Sequence, residues 1–389
     1  MANSRVRKRT EKLRVFEAFA GIGAQASALE RLNINYEIVG ISEWFVDAIE
    51  CYAAIHKNNE QVEIPFEKQE VLAYLKKYSF SIDSVHRCEI DRFTEDKLRN
   101  LCRANKKCKN YGSITDIQAE DMPLTDLLVY SFPCQDLSTG GLGMGMKRGS
   151  GTRSGLLWEI ERILKGLKEL DRLPEYLLLE NVKTIKAESN RADLNEWLGF
   201  LESIGYRNDD CMLLNALDFG VPQDRERVFI VSHLGEKLNI CEKIRKRERV
   251  YEFGAFFRND YDNPTLRAEA DIAQLNPTPS RQKMWQINGR ELNERTTVRT
   301  ITCNMDRTHC AALFPYVGAK GDSFRRPTIR EAFLLMGFTE EEYERTMSLE
   351  FSYRKMNKLI GNSIVVNVLE EIFRAMFGGK YDKENVECK

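Results

Sequence analysis

Short apolar runs alternate with amphipathic segments through residues 1–232. Continuous apolar runs bounded by turn residues predict buried strands, and apolar residues spaced three and four apart predict helices. The predicted strands cover 13–19, 37–42, 126–130, 176–179, 210–214 and 228–232, and the clearest predicted helices cover 154–170 and 193–204. Strands that alternate with helices favour a doubly wound, Rossmann-like α/β sheet, whose ligands bind at the carboxyl edge.

The alternation is lost from His233 to Phe324, where prolines and short polar runs replace it. We therefore expect a small, mostly irregular or β domain there. Helical spacing returns at 328–336, and Gly361-Asn362-Ser363 predicts the capped start of a final helix at 364–377. The predicted domain segments are 1–232, 233–325 and 326–389, with the first and third forming one domain.

The composition is typical of a folded globular protein, with 42% hydrophobic and 30% charged residues among 389. No apolar run approaches the roughly 18 residues of a membrane span, and the basic segment 1–14 lacks the apolar core of a secretory signal. Ten cysteines without a CxxC pair indicate reduced thiols in a cytoplasm and no structural metal. The net charge of −1 argues neither for nor against binding to nucleic acid. Basic clusters such as 147–153 and 243–249 are candidates for phosphate contacts.

Cys134 follows the predicted strand 126–130 and precedes a glycine-rich segment, 139–155, that carries Lys147 and Arg148. A thiol held at a strand end before such a loop is placed like a nucleophile, because its thiolate is the reactive form. The simpler interpretation is a small buried apolar side chain, as free cysteines commonly are. The motifs elsewhere in the chain decide between the two.

The glycine turn at 19–23, Phe-Ala-Gly-Ile-Gly, lies between a predicted strand and a predicted helix and is typical of a nucleotide-type cofactor site. It lacks the full GxGxxG pattern, which favours a ligand without phosphates. Glu43 follows the second strand and is placed to bind a ribose, with Trp44 beside it to stack on an adenine. Asp116, at another predicted strand end, suits an adenine amino group. Glu180 ends a strand of the same sheet as the cysteine.

In this order, these motifs resemble the cytosine-C5 DNA methyltransferases. The matching stretches are FAGIG (19–23), EW (43–44), DI (116–117), PCQ (133–135), ENV (180–182), QDRER (223–227), RPTIRE (326–331) and GNS (361–363). They span nearly the whole chain, and the resemblance fades in 51–111 and in much of 233–324. The stretch 147–164 is especially similar to the bacterial CpG methyltransferases.

The resemblance implies that S-adenosyl-L-methionine (AdoMet) methylates a cytosine flipped out of double-stranded DNA, leaving S-adenosyl-L-homocysteine, without a metal. By the family pattern Cys134 adds to C6, Glu180 acts at N3, Arg227 holds O2, and Arg225 supports the closed loop and a phosphate. The implied cofactor contacts are Phe19, Gly21, Ile22, Gly23, Glu43, Trp44, Asp116, Ile117, Pro133, Leu156, Asn362 and Ile364. The implied DNA contacts are Gln135, Ser138, Arg148, Arg153, Thr300, Thr302, Asn304 and Arg307.

In this family the small domain would read the target sequence. Thr300-Ile301-Thr302 resembles the Thr-Leu-Thr element usual there, with Asn304 and Arg307 as candidates for base-edge contacts. The resemblance of 147–164 indicates a target that contains CG. We expect a stand-alone bacterial or phage enzyme, monomeric and cytoplasmic, that acts on DNA and not at a membrane.

Four other interpretations compete with this one. A nicotinamide oxidoreductase would share the glycine turn and Glu43 but gives no reason for PCQ, ENV and QDRER together. A tRNA cytosine-C5 methyltransferase is closer, although its usual Cys-Phe-Thr element is absent, since Cys303 is followed by Asn304. An adenine amino-methyltransferase would need a DPPY-type motif, which the sequence lacks. A non-catalytic DNA-binding regulator is the fourth, and an intact catalytic set argues against it.

Overall fold

The computed structural model describes residues 12–133, 146–148, 153–288, 297–303, 305, 313–378 and 380–381. By its internal packing the chain divides into two compact units. The first comprises Met1–Leu214, Arg227–Arg245 and Leu369–Lys389, and the second comprises Asn215–Glu226 and Lys246–Val368.

The strands are β1 (Leu13–Ala18), β2 (Tyr36–Ser42), β3 (Leu127–Tyr130), β4 (Tyr176–Val182), β5 (Tyr206–Asn208), β6 (Met212–Asn215), β7 (Gln223–Asp224), β8 (Glu226–Leu234), β9 (Val298–Arg299), β10 (Phe314–Gly318) and β11 (Gly321–Arg325). The helices are α1 (Ala24–Arg31), α2 (Val46–His56), α3 (Lys68–Leu75), α4 (Glu95–Lys107), α5 (Leu157–Glu169), α6 (Glu188–Ser203), α7 (Ile240–Lys243), α8 (Phe253–Phe256), α9 (Pro264–Ala273), α10 (Pro279–Asn288), α11 (Ile329–Leu335), α12 (Glu340–Thr346), α13 (Tyr353–Gly361) and α14 (Val366–Phe377).

The first unit is built on a seven-stranded sheet in the order β2-β1-β3-β4-β8-β5, with β6 paired to β8. The strands β1 to β4 run parallel, and β8 is antiparallel to both β4 and β5. This arrangement confirms the predicted Rossmann-like α/β fold. Each helix in the described ranges is too short or too polar to span a membrane.

The strand register brings three strand ends to one level. Ser42, Ala18 and Tyr130 end β2, β1 and β3 in one row, and Leu179 of β4 lies in the same row three residues before β4 ends. The segments that follow β2, β1 and β3 therefore leave the sheet at one edge, which we call the carboxyl edge. This is the edge at which open parallel sheets bind their ligands.

Two helices cover one face of this sheet through aromatic side chains. Leu128 and Tyr130 of β3 lie two residues apart and pack in one buried cluster with Trp158 of α5 and Trp197 of α6. The Trp197 indole Nε1 donates to the Tyr130 hydroxyl over 3.2 Å, so the buried polar atoms of both rings are satisfied. The continuous apolar runs of the sequence are explained by this burial, because parallel strands are covered on both faces.

The second unit contains the hairpin β10–β11 and the parallel pair β7–β9. Arg325 at the end of β11 and Glu331 of α11 form an ion pair, Nη1 to Oε2 at 2.7 Å, with both side chains fully buried. Thr328 caps α11: its hydroxyl oxygen accepts the Glu331 N–H over 3.2 Å, and its own N–H donates to the Glu331 carboxylate over 2.8 Å. Because a buried charge without its partner is costly, this pair fixes the junction of β11 and α11.

The segment 233–324 contains helices that its polar pattern did not predict, including α9 and α10. The start of α9 has a recognisable signal: the Asn263 side chain accepts the N–H groups of Thr265 and Leu266, and Pro264 holds the first helical position. The stretch 51–111, where the family resemblance fades, contains the second half of α2 together with α3 and α4, all in the first unit.

The prediction of a strand end at 113–117 is wrong. Gly112 has φ +72°, in the left-handed region, and the Asp116 N–H closes a turn on the Ser113 carbonyl over 3.0 Å. Ile117 resembles a strand residue because it is buried in the core, although its backbone is not part of the sheet.

The prediction that Asn362 caps the start of the last helix is also wrong. Helix α13 continues through Gly361, and Asn362 is its C-cap. Gly361 is required by a close backbone approach, since a Cβ there would lie 2.2 Å from the Cys303 nitrogen.

Glu17 of β1 has a fully buried carboxyl group whose oxygens make no hydrogen bond of standard geometry to the described residues. Burial raises the pKa of Glu17 to about 8, and the Tyr52 hydroxyl, the Ala26 backbone and the charge of Lys57 offset this only in part. Between pH 4.5 and about 8 the folded chain therefore keeps a proton that the unfolded chain releases. The protonated Glu17 carboxyl group contributes fully to the free energy of unfolding below pH 4.5, and this contribution is lost as the pH rises from 4.5 to about 8.

We predict that Glu17→Gln increases the free energy of unfolding more at pH 8 than at pH 5. The difference should be up to about 1.4 kcal/mol per pH unit, because the variant cannot release this proton. Urea unfolding at several pH values measures it. Glu30→Gln, at an exposed position of α1, is the control, and an identical effect of Glu17→Gln at every pH would contradict a buried neutral carboxyl group.

Candidate active site

The glycine turn leaves β1 at the carboxyl edge in the left-handed backbone region. Phe19, Gly21 and Gly23 have φ values of +57°, +57° and +81°. A Cβ on Gly21 would meet no atom within 4 Å, so the backbone there borders open space. The positive φ of Phe19 is unfavourable for a residue with a side chain, and such strain is typical of ligand sites.

The far side of the turn is closely packed. A Cβ on Gly23 would lie 2.3 Å from Nε2 of His56, and the same nitrogen donates to the Ile22 carbonyl over 2.9 Å. The Ile22 side chain is buried. His56 of α2 therefore supports the glycine turn through this hydrogen bond. The contact is possible only because Gly23 has no side chain.

The Glu43 carboxylate, at the end of β2, accepts hydrogen bonds from three backbone N–H groups. Its Oε2 accepts from Gly21 over 2.9 Å, and its Oε1 accepts from Trp44 and Phe45 over 2.8 Å each. Burial raises the pKa of this carboxyl group, and the three N–H donors act against it. Since each carboxylate oxygen has two acceptor positions, Oε2 keeps one for a further donor such as a ribose hydroxyl.

Asn110 holds the backbone of Glu43 from the stretch 51–111, where the family resemblance fades. Its Oδ1 accepts the Glu43 N–H and its Nδ2 donates to the Glu43 carbonyl, both over 2.9 Å. The half-buried Trp44 follows. Asp116 is exposed and its Oδ2 accepts the Ser79 N–H over 2.9 Å, while Ile117 is buried.

Two side chains fix the segment that leaves β3. Nδ2 of Asn181 donates to the Phe132 carbonyl over 3.1 Å, and the Ser154 hydroxyl donates to the Pro133 carbonyl over 2.8 Å. Neither Asn181 nor Ser154 was singled out from the sequence, although Asn181 stands inside the ENV motif. Cys134 follows Pro133 directly and lies outside the described residues.

Glu180 and Arg227 meet on one face of the antiparallel pair β4–β8. Arg227 lies opposite Val182 in the register, so it is the diagonal neighbour of Glu180. The Arg227 Nε lies 3.4 Å from Glu180 Oε1, and the two side chains are 18% and 10% exposed. The sheet thus brings together an acceptor and a cation at the carboxyl edge.

The other predicted site residues of the first unit have the following positions. Leu156 is half-buried at the start of α5 and packs against the core. The Arg148 guanidinium pairs with Glu161 and Glu196 at 2.5 and 2.9 Å and lies 4.1 Å above the Trp158 ring. The Arg148 charge is therefore paired with carboxylates of the chain itself.

Five of the predicted site residues that the structure describes lie in the second unit. Arg225 is buried against backbone carbonyls, Thr300 donates its hydroxyl to the Asp224 carbonyl over 2.7 Å, and the Thr302 carbonyl accepts from Asn357. Asn362 is exposed and Ile364 is buried. The residues outside the described ranges are Cys134, Gln135, Ser138, Asn304 and Arg307, and the side chain of Arg153 is likewise not described.

A mostly parallel sheet with an open glycine turn and a carboxylate acceptor at its carboxyl edge defines the Rossmann-like class of cofactor-dependent enzymes. The chain belongs to a particular family of that class: the model of the C-5 cytosine-specific DNA methylases matches residues 77–378. It is a DNA cytosine-C5 methyltransferase, and the family methylates with AdoMet.

Close relatives share nearly the full length of the chain. The orphan methyltransferase M.SssI of Spiroplasma monobiae is 37% identical over 388 residues, which cover 96% of this chain and 100% of the relative. The type II methyltransferase M2.ScrFI of Lactococcus lactis is 35% identical over 386 residues, covering 94% and 99%. The structure of the methyltransferase EhMeth of Entamoeba histolytica superposes with a TM-score of 0.61 at 15% identity, covering 95% of this chain and 99% of that one, which shows the shared fold.

The residues at the carboxyl edge fit AdoMet. The space beside Gly21 admits a ligand against the backbone, and Glu43 keeps an acceptor for a hydroxyl donor. Within the described part of the chain, no group of three or more His, Cys, Asp or Glu side chains could hold a metal ion.

We predict that Gly23→Ala weakens AdoMet binding at least tenfold. The added methyl group would displace His56 from the Ile22 carbonyl, and the left-handed φ of +81° is itself unfavourable for alanine. Equilibrium dialysis or calorimetry with the cofactor measures the dissociation constant.

Gly199→Ala is the matched control, because a Cβ at this position of α6 would meet nothing within 4 Å. Its cofactor affinity should stay unchanged, with a stability gain of up to about 1 kcal/mol from helix propensity. Wild-type affinity in Gly23→Ala would contradict the supporting role of this glycine.

Proposed function

We propose that the enzyme flips a cytosine out of a short duplex target and attacks its C6 atom with the Cys134 thiolate. The observation that carries this proposal is the Glu180–Arg227 pair, at 3.4 Å on the carboxyl edge. Cys134 follows Pro133, whose carbonyl is fixed by Ser154 at the same edge of the sheet. A stacked base is out of reach of such a site, so base flipping is part of the proposal.

The roles of Glu180 and Arg227 follow from where negative charge develops on the cytosine ring. Addition of the thiolate to C6 breaks the C5–C6 double bond and moves electron density toward N3 and O2. Glu180 holds a proton at N3, and Arg227 donates to O2 and stabilises the charge that develops there. The guanidinium charge also favours the thiolate form of a nearby cysteine.

AdoMet, when bound, supplies the electrophilic methyl group that C5 accepts, and S-adenosyl-L-homocysteine remains. Loss of the C5 proton and expulsion of the Cys134 thiolate then restore the double bond. The proposed cofactor contacts at the glycine turn are those of Phe19 and residues 21–23, with Glu43 on the ribose. Trp44, Asp116 and Ile117 would contact the adenine, and Pro133, Leu156, Asn362 and Ile364 the methionine part.

DNA recognition is proposed to use the segment 135–155 and the small domain 233–325. Gln135 and Ser138 would contact the vacated base position, and Arg148 and Arg153 the phosphates, which makes binding sensitive to salt. Thr300 and Thr302 would anchor the small domain on the backbone, with Asn304 and Arg307 at base edges. The resemblance of 147–164 supports a target containing CG. The enzyme would act as a monomer in the cytoplasm and without a metal.

Bisulfite sequencing of unmethylated genomic DNA after treatment with protein and AdoMet tests the proposal. We predict methylation confined to one short motif that contains CG, and none with Cys134→Ser. Glu180→Gln should lower kcat by roughly 10²- to 10⁴-fold while DNA binding persists, because it removes proton transfer and charge stabilisation at N3. A wild-type protein that binds AdoMet yet leaves every cytosine unmodified would sink the proposal, as would full activity in Cys134→Ser.

A further inference from the structure

Arg225 is buried, with 3% of its surface exposed, and its guanidinium is committed to the protein backbone. Nη1 donates to the Ile301 carbonyl over 2.7 Å, and Nη2 donates to the carbonyls of Gly361 and Ser363 over 3.1 and 2.7 Å. Both N–H groups of Nη2 are thereby in use. A bidentate hydrogen bond from Arg225 to a phosphate needs one of the two Nη2 N–H groups. Such a contact would therefore require breaking one of the bonds from Nη2 to a backbone carbonyl.

The three carbonyls belong to two segments of the second unit that are distant in sequence. Ile301 lies in the recognition segment, which we define as 300–303, and the other two belong to the turn 361–364 at the end of α13. Gly361 allows their backbones to touch, because a Cβ there would lie 2.3 Å from the Thr302 carbonyl carbon. Asn357 adds a bond from Nδ2 to the Thr302 carbonyl over 3.2 Å.

Neighbouring side chains of the QDRER motif reinforce the same connection. Gln223 accepts the Ile301 N–H at Oε1 over 2.9 Å and donates from Nε2 to the Leu335 carbonyl over 2.6 Å. The Thr300 hydroxyl donates to the Asp224 carbonyl over 2.7 Å. Residues 300 and 301 of the recognition segment are thus bonded to the motif that carries Arg225.

We propose that Arg225 is a positioning residue that couples target recognition to cofactor binding. It holds the recognition segment and the turn 361–364 as one body, so that a displacement of either is transmitted to the other. This rests on the proposed function, in which Thr300 and Thr302 contact DNA and Asn362 and Ile364 contact AdoMet. This positioning role of Arg225 differs from the contact with a DNA phosphate that the family resemblance implies.

The test compares Arg225→Gln and Arg225→Lys with the wild type in two binding experiments. The first is the AdoMet dissociation constant without DNA, and the second is the affinity for target and non-target duplexes across a salt series. Lysine keeps the charge but cannot reach three carbonyls with a planar fork, so both variants should bind AdoMet about tenfold or more weakly. Both should also lose preference for the target duplex, while the slope of log affinity against log salt stays near the wild-type value.

A phosphate role gives the opposite pattern. Arg225→Gln would then lower the salt slope by about 0.9, Arg225→Lys would restore it, and AdoMet binding without DNA would not change. That result would overturn the proposal. A wild type that binds neither AdoMet nor DNA would refute the proposed function instead, so the two failures are distinguishable.

Two further variants keep the test decisive if Arg225 variants unfold. Asn357→Ala removes only the bond to the Thr302 carbonyl and should shift both affinities in the same direction by a smaller factor. Gly254→Ala is the control in the same unit, because its Cβ would meet nothing within 4 Å, and it should change neither affinity. An Asn357→Ala variant that alters one affinity without the other would also contradict the coupling.

Discussion

The parallel register of four strands is the constraint on which the rest of the site depends. Because Ser42, Ala18 and Tyr130 end their strands in one row, beside Leu179 of β4, the segments that follow these three strands emerge at one edge of the sheet. The glycine turn, the Glu43 carboxylate and the segment leading to Cys134 are all placed by this one alignment. A slip of one residue would turn every side chain of the shifted strand to the opposite face and separate these groups.

The antiparallel strand β8 adds the second element of the site. It places Arg227 diagonally across from Glu180, so a buried carboxylate has a cation beside it on the neighbouring strand. An ion pair held on two adjacent strands loses little conformational freedom when substrate binds. This is the kind of preorganisation that makes electrostatic stabilisation effective in catalysis.

The apolar runs were sufficient to predict the sheet, because strands buried on both faces need continuous apolar sequence. The residues around Glu43 and Cys134 were predicted as a site for the same reason: they directly follow those runs. The supports of the site were not predictable, since Asn110, Asn181 and Ser154 act through hydrogen bonds to backbone atoms distant in sequence. Gly361 was misread as the start of a helix because local sequence does not reveal a close backbone approach.

The central claim is that the thiolate of Cys134 adds to the ring of a cytosine held by Glu180 and Arg227. A duplex carrying 5-fluorocytosine at the target position tests it directly, because fluorine at C5 cannot leave as the proton does and the covalent adduct persists. Digestion and mass spectrometry of the complex formed with AdoMet should locate the DNA on the peptide that contains Cys134. An adduct on another cysteine, or none from an enzyme that methylates normal target DNA, would contradict the account.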